Sequence, residues 1–189
     1  MLAGVTALSA DPAGDYAEVV VADHDLRPGA ALTPTDVRLE KRLATTVPDG
    51  ARTDVGAVVG STLAGPARRG EVLTDVRLLG SRLAEAAIAS TAGPGARIVA
   101  LRLADSALTD LVRAGDVVDV LAAPSTGSPE PPQATPKVVA TDAVVVLVSA
   151  KPKAQAGDGD RVVLVALPAR VANTVAGSAL GQAVTLTLH

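Results

Sequence analysis

The sequence has no cysteine, no phenylalanine and no tryptophan, and Tyr16 is its single aromatic residue. Without cysteine there are no disulfides and no thiolate metal sites, and cysteine usage says nothing about the redox compartment. Without rings there is no base-stacking platform for single-stranded nucleic acid and no aromatic cage for a quaternary ammonium. Charge of neither sign dominates: 17 Lys and Arg face 20 Asp and Glu, for a net charge of −3 and a pI near 5.3. No basic field therefore draws the chain to DNA or anionic lipid, and no nucleic-acid partner is expected. The apolar stretch Leu2–Ala10 falls far short of the roughly 20 residues a membrane span needs, and it lacks a positive flank. It reads either as a leader or as the end of a transmembrane helix that begins outside this chain. Residues 1–16 are assigned to that leader or anchor stub.

What is abundant is small and aliphatic. Ala (37) and Val (28) make up 65 of the 189 residues. Each such side chain contributes little volume, so the core must be assembled from many short, closely packed elements. Turn residues punctuate short β-branched runs, which predicts strands at 17–22 and 37–43, with Arg27-Pro28-Gly29 as a tight turn between them. Thr33-Pro34-Thr35-Asp36 reads as one helical turn capped by Thr33, and 53–59 as a short helix. Residues 80–95, rich in Ala, Ser, Thr and Gly, read as a linker. Beyond them the order β-α-β-β-β-α-β is expected: strands at 97–103, 117–122, 137–148, 161–167 and 184–188, with helices near 105–112 and 168–180. Loops at 123–136 and 151–160 are expected to be mobile, the first because it carries five of the thirteen prolines. The fold class is thus mainly β with an α+β second half.

One internal echo stands out. Arg27-Pro28-Gly29-Ala-Ala-Leu32-Thr33 recurs as Arg68-Arg69-Gly70-Glu-Val-Leu73-Thr74, an offset of 41. The following Asp36-Val-Arg-Leu39 returns as Asp75-Val-Arg-Leu78 at an offset of 39. Two copies are too few for a solenoid but suit two turn–strand units facing each other across a pseudo-twofold axis.

Candidate chemistry is sparse. Asp23-His24-Asp25 invites a metal reading, yet on extended backbone the two carboxylates and the imidazole point to opposite faces. Asp116 and Asp119 would likewise diverge on a strand, and Asp116 suits a turn acceptor of backbone N–H groups. His189 reads as a mobile terminus. Arg68-Arg69-Gly70 could bind phosphate or a partner's carboxylate, but no phosphate-loop pattern accompanies it, and an exposed turn is the plainer reading. No serine elbow or cysteine nucleophile is present. No catalytic residue, metal or cofactor is assigned.

The stretch from Val19 through Arg27-Pro28-Gly29 and Leu32-Thr33 to Val37, with Arg69-Gly70 through Leu73-Thr74, resembles a SAF domain of the β-clip fold, placed at residues 17–79. The second half, 96–189, resembles the CpaB/RcpC family of Flp (Tad-type) pilus assembly proteins. Its matching residues run from Val99 to Arg113-Ala-Gly115-Asp116-Val-Val-Asp119-Val-Leu121 and end in Gly181–Leu188, with Ala114 where the family has proline. The resemblance implies a non-catalytic protein outside the cytoplasm, held to the membrane by an N-terminal helix missing from this chain. It implies partners among pilus or secretion-system proteins, with homo-oligomers as a further possibility. The residues Arg27, Pro28, Gly29, Leu32, Thr33, Arg69, Gly70, Leu73, Thr74, Gly115, Asp116 and Asp119 carry the motifs as structural or interaction residues. Strand edges at 17–21 or 137–148 are the expected contact sites. The competing readings are an accessory or ligand-binding SAF domain like those beside sugar-acid enzymes, and a carbohydrate-binding module, which the missing aromatics disfavour.

Overall fold

A computed structural model describes residues 14–88, 95–124, 135–150 and 161–189. The stretches 1–13, 89–94, 125–134 and 151–160 lie outside the described residues, and with them most of the leader, part of the expected linker, most of the 123–136 loop and all of the 151–160 loop.

In the N-terminal body, β1 (Tyr16–Ala22) pairs antiparallel with β2 (Val37–Leu43). Their β-branched and aliphatic residues supply one side of a core holding Val20, Leu26, Leu32, Val58, Leu63 and Leu73. Most of this core comes from turns rather than strands, held by isolated bridges and long-range backbone hydrogen bonds.

The expected pseudo-twofold relation is written in those hydrogen bonds. Leu26 and Ala67, 41 residues apart, exchange reciprocal bonds of 2.8 and 3.2 Å across the axis. Gly70 N donates to Ala22 O, and its counterpart Gly29 N donates to Leu63 O, both at 2.8 Å. Ala22 N to Glu71 O is matched by Leu63 N to Ala30 O, and Leu73 N to Val20 O by Leu32 N to Ser61 O. Gly29 and Gly70 hold φ of 84° and 78°, a region a side chain disfavours by about 1–2 kcal/mol. The copies diverge after Thr33 and Thr74. Val37–Leu39 continues as strand, whereas Asp75–Arg77 forms a 3₁₀ turn, so the second Asp-Val-Arg-Leu is not a strand. The expected helix at 53–59 is a turn; β-branched Val55, Val58 and Val59 with Gly56 and Gly60 make a poor helix.

The expected linker opens on a helix, α1 (Ser81–Ala87). Ala is the best helix former, and Ala84, Ala87 and Ile88 recur at helical spacing on one face. That face packs on a five-stranded antiparallel sheet of β3 (Ala96–Leu101), β4 (Val117–Ala122), β5 (Lys137–Val148), β6 (Val163–Pro168) and β7 (Val184–Leu188). The strand order is β3-β6-β5-β4-β7. Alternation sorts its side chains cleanly: Val144, Val146, Leu164 and Ala166 face α1, while Val145, Val163, Val165 and Leu167 face the main core. On that second side lies α3 (Ala169–Gly181), which contributes Ala172 and Val175. The short α2 (Leu108–Leu111) joins β3 to β4, with Asp105 Oδ1 accepting from Ala107 N at its start.

The structure corrects both expected edge contacts. β1 is enclosed, by β2 on one side and by the segments around Arg52, Glu71 and Leu73 on the other, and Val19–Ala22 are fully buried. β5 lies between β4 and β6. The outer strands of the five-stranded sheet are β3 and β7. Among the described residues no helix is long and apolar enough to cross a membrane.

Candidate interaction surface

Three turns share one local device. In each, a carboxylate accepts the N–H of the residue three before it, and its own N–H returns to that residue's carbonyl. Asp36 does this with Thr33, Glu71 with Arg68 and Asp116 with Arg113. The side chain thus supplies the acceptor for an N–H that a helix carbonyl would otherwise accept, and fixes the chain direction into the next segment. Gly115, at φ 101°, completes the third turn. Leu32 and Leu73 bury themselves behind the first two turns, at 4% and 0% exposure. Thr74 leads into the 3₁₀ turn.

The candidate metal residues disperse. Asp23 pairs with Arg38 at 3.0 Å, and His24 Nε2 lies 3.4 Å from Asp36 Oδ1. Asp25 is engaged by the second copy of the repeat: its Oδ2 meets Arg68 Nη1 at 2.6 Å, and its Oδ1 accepts Arg69 N–H at 3.0 Å. Among the described residues no group of His, Cys, Asp and Glu is arranged to hold a metal. Asp119 and Asp116 do not meet. Asp119 Oδ1 accepts from Asp142 N at 3.2 Å and lies 3.0 Å from His189 Nε2, so the His189 ring is tied to β4 instead of free.

Several carboxyl groups are held below the usual carboxylate range. Asp36 is lowered by the Thr33 hydroxyl and amide, Asp119 by His189, and Asp25 by the Arg69 N–H and then Arg68. A carboxyl lowered in the folded state favours folding above its unfolded value of about 3.9 and loses that contribution as pH falls through the folded value. The thermal midpoint should therefore decline as pH drops below about 4. Asp36→Asn should start from a lower midpoint at neutral pH and decline less steeply. Parallel slopes in calorimetry would remove Asp36 from this role.

Where the two bodies meet, a groove of about 450 Å³ opens between the first turn of the repeat and the second body. Pro28 and Pro66 form its N-terminal wall, and Val112, Leu147 and Val148 the opposite one. Arg27, Arg113 and Arg161 line it. Arg161 is spent on structure: its guanidinium meets Asp110 at 2.5 Å and donates to the Ser149 and Thr109 carbonyls. Ala64, Gly65 and Ala114 carry the groove into a second hollow of about 300 Å³ beside α1. The walls of the groove come from segments distant in the chain, so no local pattern marks it.

Residues 17–79 match the family model of the SAF domain. Among solved structures the chain is similar to the flagellar protein FlgA from Thermotoga maritima MSB8. Identity is 31%, over 34% of this chain and 25% of that one, with a TM-score of 0.32. The chain thus spans about a quarter of that protein's length. No curated protein matches the chain.

Proposed function

We propose that this protein is a non-catalytic assembly component of an extracytoplasmic fibre or secretion system, of the Flp-pilus kind that the CpaB/RcpC resemblance implies. The observation that carries the reading is the SAF match over residues 17–79, joined through α1 to a second body whose Arg113–Asp116 turn lies against it. Three carboxylate-braced turns fix the path of the chain, and the interbody groove presents shape and charge to another macromolecule. The partners are other pilus or secretion-system proteins.

Deleting the gene in its own host and counting surface fibres by electron microscopy tests this. Loss of fibres, restored by the wild-type gene, is the expected result. Unchanged fibre numbers would overturn the reading, and a growth defect confined to sugar acids would favour the accessory-domain alternative.

A further inference from the structure

The twofold relation in the N-terminal body fails at one place, and that place faces the groove. By the offset of 41, Arg27 is the counterpart of Arg68, Pro28 of Arg69, and Pro66 of Asp25. In the second copy the Asp25 carboxylate joins the Arg68 guanidinium and the Arg69 N–H. In the first copy the same position is Pro66, which has no carboxylate. Among the described residues Arg27 forms no ion pair, although its backbone holds the mirrored path. Arg27, Pro28 and Pro66 all line the groove, as does Leu147 from the second body.

Arg113 stands on the same groove and also lacks a carboxylate among the described residues. Its Nη1 donates to the Asp110 and Val112 carbonyls, at 2.5 and 2.9 Å, which orients the guanidinium without neutralising it. Arg161 is already matched by Asp110. The groove therefore has apolar walls and two cations that meet no carboxylate among the described residues. Charge-assisted bonds from arginine to carboxylate are the strongest such a surface can offer.

We propose that this groove docks an extended segment of a partner polypeptide, in which an Asp or Glu flanked by apolar residues places its carboxylate on Arg27, as Asp25 does on Arg68, with Arg113 as second cation. The proposal rests on the assembly reading and names the chemistry of the partner's contact. The continuation of the groove past Ala64, Gly65 and Ala114 suits a chain better than a compact metabolite.

The test is selection of random peptides, about twelve residues long, displayed on phage and panned against the full chain. Enriched peptides should carry an acidic residue between apolar ones. Resynthesised, they should bind at least tenfold more weakly to Arg27→Ala and to Arg113→Ala, and within about twofold of wild type to Arg68→Ala, the twin turn. Arg27→Glu should reverse the preference toward peptides with Lys in place of the acid. Should a protein variant fail to fold, changing the peptide's acid to its amide on wild-type protein must still cost at least tenfold. Enrichment without an acid, binding indifferent to Arg27, or no enrichment overturns the proposal. Displacement of the peptide by hexanoate at equal affinity also overturns it, assigning the groove to small carboxylates. Fibre loss on gene deletion with no acidic-peptide binding would sink the groove and leave the assembly reading standing. Normal fibres would sink the latter alone.

Discussion

Leu73→Ala should lower the unfolding free energy by about 2–5 kcal/mol, the range for emptying a fully buried leucine site. Leu73 is 0% exposed among Val20, Leu32 and Leu63, and no large aromatic side chain stands nearby to collapse into the space. A core of small aliphatics compensates poorly for a lost one, since each neighbour is short and stiff. Against a typical total of about 5–15 kcal/mol this is a large fraction. The twin substitution Leu32→Ala should fall in the same range, because the two leucines occupy equivalent positions behind equivalent turns. Urea unfolding followed by far-ultraviolet circular dichroism measures both. A loss below about 1 kcal/mol at Leu73 would contradict the packing described.

Ala84→Asp should have an effect of similar size but different character. Ala84 is fully buried where α1 meets the sheet, beside Ile88, Ala96, Val146 and Ala166. None of these can hydrogen-bond a carboxylate through its side chain, and an unpaired buried charge costs about 3–5 kcal/mol. The cheaper response is for α1 to leave the sheet, which would loosen the apolar packing that ties it to the second body. The expected result is faster hydrogen exchange along α1 and two separate melting transitions in calorimetry. A single transition at the wild-type temperature would show that α1 does not couple the bodies.

Much of the strand plan was legible because β-branched runs and turn residues alternate so regularly. Among the described residues the seven strands fall close to where short apolar runs predict them, and the 41-residue echo announced the twofold turns through Gly29 and Gly70. Three things were not legible, each for a physical reason. The helix α1 was hidden because Ala, Ser and Gly composition looks like a linker until the burial of Ala84 and Ile88 is seen. The edges were misplaced because the neighbours of β1 are turns near Arg52 and Leu73, which no local pattern reveals. The groove arises only when Pro28 and Pro66 meet Val112 and Leu147 in space. A signal for it did exist: aligning the two copies two residues further upstream sets Asp25 against Pro66, and marks Arg27 as the arginine without that acid.

The proposed docking of an acidic partner segment depends on Arg27 and Arg113, which meet no carboxylate among the described residues. Fibre counts in cells carrying Arg27→Glu with Arg113→Glu in place of the wild-type gene test it most directly, with immunoblots confirming equal protein levels. Both side chains are exposed, so the variant should accumulate normally while fibres are lost as in the deletion. Wild-type fibre numbers at wild-type protein levels would contradict the claim.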